Sequence, residues 1–109
     1  MERLIDWITE EAAGETVLNV TIGKMGWGDF KSEGVPNYEE CPKGKMLSWE
    51  EAKPWLMYEF DSDYGAPRCQ ALYAWTENKV IAIGQYDGMT WAYGIPRNPC
   101  DCMPEMQGG

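Results

Sequence analysis

The chain has 109 residues, 44% of them hydrophobic, and sets eighteen Asp and Glu against nine Lys and Arg, a formal charge of −9. That length fits one core-forming domain, and an acidic chain with no basic stripe is excluded from gripping nucleic-acid phosphates or an anionic membrane surface directly. There is no histidine, which excludes Ser-His-Asp and Cys-His catalysis, mixed Cys/His zinc sites and every other histidine metal site.

The first residues, Met1–Asp6, lack a basic run followed by an apolar run, and no stretch reaches the roughly 20 apolar residues of a membrane span. The expectation is a cytoplasmic protein with reduced thiols. Residues 3–13 predict an amphipathic helix: Leu4, Ile5, Trp7, Ile8 and Ala12 share one face, and Glu2, Asp6, Glu10 and Glu11 fall mostly off it. Gly14 is the expected stop. Residues 16–24 alternate as a strand. A long irregular segment follows, about 26–46, rich in Gly and Pro and carrying Trp27, Phe30 and Tyr38. Loops of that length in a small domain are often functional. Ser48 and Glu51 form a capping box, and Pro54 shortens the helix that it starts. Residues 55–60 read equally as a further turn or a strand.

Residues 61–67 form a loop by composition. Residues 69–76 and 79–86 then predict a hairpin around Glu77-Asn78, with Asn able to take a positive φ. Asp87-Gly88 supplies the next turn, and residues 91–95 the third strand of a β-meander. The reading is one α+β domain over residues 1–95, with an extended tail over 96–109. An N-terminal helix and a short second helix pack on a mainly antiparallel sheet of four to five strands.

Candidate chemistry is sparse. Cys41, Cys69, Cys100 and Cys102 offer four thiols, but only Cys100 and Cys102 are close in sequence, a poor match to paired zinc ligands. No metal or other cofactor is expected. Asp61-x-Asp63-x-Gly65 starts like a calcium loop, yet Ala66 and Leu72 stand where later ligands belong, and a turn capped by its own Asp explains it as well. The carboxylate pairs have no specificity in so acidic a chain. No phosphate-cradling glycine motif is present, so the expectation is a protein without enzymatic activity. Trp91 and Tyr93 share a face of the third strand. If Ile81 and Ile83 face the core, an aromatic-bearing face is left partly open; otherwise the rings stack beneath the helices. The acids concentrate in residues 1–15 and 29–63, where they serve solubility or form one acidic face opposite the meander.

Tyr73-Ala74-Trp75-Thr76, Gln85-Tyr86-Asp87-Gly88 and Ile95-Pro96-Arg97-Asn98-Pro99, with Ser48-Trp49-Glu50-Glu51-Ala52 and Phe60-Asp61-Ser62-Asp63-Tyr64-Gly65 upstream, resemble a group of small proteins encoded by bacteriophages and prophages. The resemblance covers roughly residues 48–109. That group has no established activity, so no functional residue carries over. What the resemblance implies is a setting, the cytoplasm of an infected host cell, where small acidic proteins often antagonise host defence, anti-CRISPR proteins among them.

Three readings follow. In the first, an inhibitor imitates nucleic acid and occupies a basic surface of a nucleic-acid-handling host enzyme, with Trp27, Asp29, Glu33, Tyr38, Glu39, Glu40, Asp61 and Asp63 at the contact. In the second, the protein binds or sequesters a small nucleotide signal: Arg68 and Arg97 meet phosphates, Tyr86 or Trp91 stacks on a base, and Asp87 lies beside them. Pairing of the two arginines with Asp61, Asp63 or Asp87 is the plainer alternative. In the third, the protein is a minor virion or assembly component that self-associates, as a homodimer or larger, through its sheet edge or aromatic face.

Overall fold

In the computed structural model, which describes residues 1–25, 34–63 and 65–107, the apolar stripe near the N-terminus forms helix α1, Leu4–Ala12, preceded by a two-residue strand β1, Glu2–Arg3. Leu4, Ile8 and Ala12 are its buried residues, and burying Leu4 and Ile8 contributes about 1.5–3 kcal/mol each. Ala13, not Gly14, makes the stop, taking φ 50 and ψ 45 with Gly14 at φ 91 behind it. A left-handed Ala costs about 1–2 kcal/mol. Offsetting it, Ala13 N donates to Glu10 O (3.1 Å) and Glu15 N to Ala12 O (2.9 Å), closing carbonyls that the helix end leaves open. Lys79 Nζ donates to Glu11 O at 2.7 Å. This brings positive charge to the negative end of a helix whose own last turn is acidic.

The chain continues as β2 (Asn19–Met25), a 3-10 turn (Tyr38–Glu40), β3 (Met46–Ser48), α2 (Trp49–Ala52), a second 3-10 turn (Lys53–Leu56), β4 (Glu59–Phe60), β5 (Gln70–Trp75), β6 (Lys79–Tyr86) and β7 (Met89–Pro96). The α+β expectation holds. The main sheet has five antiparallel strands in the order β3-β2-β5-β6-β7, with β1 and β4 as a separate antiparallel pair. Residues 55–60 turn out to be both of the things they resemble: the 3-10 turn runs through Leu56, and β4 follows.

The capping box is complete. Glu51 N donates to Ser48 Oγ (3.1 Å), and Ser48 N to Glu51 Oε1 (2.8 Å). The Asp87-Gly88 turn takes φ 51 and φ 83, the geometry that two-residue hairpins need. The Glu77-Asn78 turn works differently from expectation, for Asn78 is not at positive φ. Instead the Thr76 hydroxyl accepts from Asn78 N (3.3 Å) and Lys79 N (3.0 Å) and donates to Glu15 Oε1 (2.6 Å). A side chain thus supplies the closure expected of a backbone conformation.

Alternation sorts the sheet into two faces. Val20, Ile22, Leu72, Ala74 and Ile81 are buried in one core with Leu4, Ile8, Leu56 and Phe60. The opposite face carries two cross-strand rows, Thr21–Tyr73–Ala82–Tyr93 and Asn19–Trp75–Val80–Ile95. Among the described residues, no helix is long and apolar enough to cross a membrane.

Candidate functional site

Two surface features carry side chains that recognition chemistry could use. The first lies where α1 meets the edge strand β7. Glu2, Glu10 and Glu11 line a depression of about 250 Å³ together with Trp7, Trp91 and Ala92. Helical spacing explains the grouping: residues 7, 10 and 11 are three and four apart on one side of α1, and β1 brings Glu2 alongside. Trp7 stands edge-on to Phe60 (centroids 5.1 Å, 84° between planes) and donates from Nε1 to Glu2 Oε1 at 2.9 Å. Its indole is half-buried and held in place, so it forms a wall of the groove and is not a core residue alone. Ser62 closes one end, its carbonyl accepting from Thr90 N at 2.9 Å. Three carboxylates beside the Trp7 indole suit a cation, because the acids supply charge and an indole face attracts it further.

The second feature is the sheet face turned away from α1. Every outward position of β2, β5, β6 and β7 in the two cross-strand rows is uncharged. Tyr73 and Tyr93 flank Ala82, which is buried although it lies on this open face. With Thr21, Gly23 and Ala71 they line a cavity of about 240 Å³. About 150 Å³ is enough for a benzene-sized ring. Tyr73 is 56% exposed and packs edge-on against Trp75 at 6.2 Å. The Trp91 indole lies over Gly84, where a Cβ would stand 3.0–3.2 Å from the ring, and its Nε1 donates to Gln107 Oε1 at 3.0 Å. Of the two alternatives open in the sequence, rings under the helices or rings on an open face, Tyr73, Trp75, Trp91 and Tyr93 take the second.

The residues expected at a partner contact are dispersed. Trp27, Asp29 and Glu33 lie outside the described residues. Tyr38 is 8% exposed, packs with Met25 and Val35, and its hydroxyl accepts from Met25 N at 3.2 Å. It is therefore a core residue and not an anchor, which corrects the expectation: its ring caps the end of β2. Glu39 and Glu40 are exposed on the turn beside it. Asp61 accepts from Asp63 N at 2.9 Å, the self-capped turn that the sequence offered as the alternative to a calcium loop. Both stay exposed. The β1–β4 pairing, with Glu2 opposite Phe60 and Arg3 opposite Glu59, joins the acids of α1 to Glu59, Asp61 and Asp63.

The small-ligand set does not converge either. Arg97 is fixed beside the start of β6, its backbone N donating to Asn78 O (3.0 Å) and its Nη1 to Thr76 O (2.7 Å). It pairs with a carbonyl in place of the expected carboxylates. Arg68 lies just before β5, near the other end of the sheet. The eight residues of β6 span roughly 23 Å at about 3.3 Å per step, so one nucleotide does not reach both arginines. Asp87 shapes the β6–β7 turn, and Tyr86 is exposed next to it.

The cysteines fall into two separate pairs: Cys41 and Cys69 are buried, Cys100 and Cys102 exposed, all four as free thiols. Burial pushes the Cys69 thiol up to about 12. Among the described residues no three Cys, Asp or Glu side chains gather as a metal site. The sequence offers the acids of residues 1–15 as part of an acidic face without singling out Glu2, Glu10 and Glu11, and it offers Trp91 and Tyr93 as an open aromatic face without placing Tyr73 beside Tyr93. The readable signal was their shared parity on paired strands. No family model, no curated protein and no solved structure matches the chain.

Proposed function

We propose that the protein is a binding protein that engages a partner with a basic surface, and that the groove between α1 and β7 receives a basic side chain of that partner. The observation that carries this reading is the convergence of Glu2, Glu10 and Glu11 on one depression walled by Trp7. A planar guanidinium lying on the indole would meet carboxylates at its edge. The net charge of −9 supplies long-range attraction toward such a partner. In the phage setting that the resemblance implies, the partner is a nucleic-acid-handling host enzyme and binding inhibits it.

The test is affinity capture from bacterial lysate at low and moderate salt, read by mass spectrometry, comparing the wild type with a Glu2→Gln, Glu10→Gln, Glu11→Gln variant. Retention of one nucleic-acid enzyme by the wild type is expected. It should fall as salt screens charges beyond about 8–10 Å, and be lost in the variant. A partner held equally by both proteins overturns the groove assignment.

A second reading rests on the cavity between Tyr73 and Tyr93, whose lining carries no charge. Its walls support a planar, uncharged ring rather than a phosphate. A raised thermal midpoint with a nucleobase or cyclic nucleotide, abolished in Tyr93→Ala, supports it; an unmoved midpoint across the panel removes it.

A further inference from the structure

The segment after β7 serves none of the roles above. Arg97 ties its start to the β5–β6 turn, and Gln107 ties its end to the Trp91 indole. Between these anchors every residue from 98 to 106 is exposed. The sequence there is Cys100-Asp101-Cys102-Met103-Pro104-Glu105-Met106, four sulfur atoms within seven residues. Met103 and Met106 are 86% and 95% exposed, so neither thioether contributes to packing. Cys100 and Cys102 are free and exposed, and a single residue separates them, close enough for the two thiols to interact.

The donor types decide which ion suits such a segment. Zinc takes thiolate, imidazole and carboxylate, and its structural sites close with four protein ligands. The chain has no imidazole, and no carboxylate joins the two thiols as a third ligand among the described residues. Thiolate with thioether is the soft donor set that selects Cu(I). We propose that Cys100 and Cys102 bind one Cu(I) as a thiolate pair, with the Met103 and Met106 thioethers completing the sulfur set. On binding, each thiol gives up its proton to solvent and forms a sulfur–copper bond; no electron is transferred. Holding the segment at both ends brings the sulfurs together at a smaller ordering cost than a free tail would carry.

The experiment titrates the reduced full chain, without oxygen, with Cu(I) held by a chromophoric chelator, and reads loss of the chelator's colour. One equivalent of Cu(I) withdrawn per chain is expected. Cys100→Ser, Cys102→Ser should abolish the withdrawal, and these exposed positions leave the fold intact. Met103→Leu, Met106→Leu should weaken it by about 10–100-fold, the scale on which groups around a metal tune its affinity. Undiminished withdrawal by the serine variant overturns the proposal and points to Cys41 and Cys69. Retention of Zn²⁺ in place of Cu(I) overturns the donor argument. Full affinity in the leucine variant overturns the thioether role while upholding the thiolate pair.

Discussion

Gln70 shows how much one residue can depend on distant chain. It is 1% exposed. Its Nε2 donates to Gly23 O (3.1 Å) and Cys41 Sγ (3.6 Å), while Tyr58 Oη donates to its Oε1 (3.3 Å) and accepts from its backbone N (3.1 Å). Burial raises the Tyr58 phenol well above its usual range, so the hydroxyl keeps its proton and serves as donor and acceptor together. The β2–β5 register shifts between Ile22 and Met25, which leaves the Gly23 carbonyl for a side chain to satisfy. Gln70→Leu should therefore destabilise by about 1–3 kcal/mol, the cost of stranding buried polar groups. A thermal midpoint unchanged from the wild type would contradict it. None of this was legible beforehand, because a Gln in an alternating strand reads as solvent-facing. The register irregularity that gives it partners belongs to a strand more than forty residues away.

At the level of elements, legibility followed locality. The capping box, the early end of α2 at Pro54 and the Asp87-Gly88 turn are each encoded within a few residues, and each forms as read. Strand β1 is two residues long and exists only because tertiary packing sets it beside β4, so no local pattern announces it, whereas β4, equally short, falls in the stretch that reads as turn or strand. The same capping contacts set an acid sensitivity. Bonds from Ser48 hold the Glu51 carboxyl below its usual value, and the bond from Thr76 does the same for Glu15. A carboxyl lowered in the folded state adds stability above its unfolded value near 4.5 and loses it as pH falls through the lowered folded value. Chemical denaturation followed from about pH 6 to about pH 3 should show the midpoint dropping below about pH 4.5. The drop should be shallower in Glu51→Gln and in Glu15→Gln; identical slopes would refute the assignment.

For the whole molecule, helix and strand periodicity indicated the α+β class correctly, and the two cysteines set apart by their spacing, Cys100 and Cys102, are the exposed ones while Cys41 and Cys69 are buried. The orientation of the aromatics stayed open until strand parity was known. The division of the thiols between core and tail has a direct readout. A thiol reagent at neutral pH should modify Cys100 and Cys102 in the native protein and reach Cys41 and Cys69 only after denaturation; four rapid modifications would contradict the burial. The strand order carries a different consequence, for how the molecule comes to exist. Both sheet neighbours of β2, β3 and β5, lie downstream of it. Joining β2 to β5 closes residues 26–69 as one loop, about 2 kcal/mol costlier in chain entropy than a hairpin of a few residues. During synthesis α1 and the apolar Val20 and Ile22 leave the ribosome with no sheet to join. The meander β5–β6–β7 pairs strands that are neighbours in sequence, so it is the part of the sheet whose closure costs least chain entropy, and the pairing of β2 with it is the costly, long-range step.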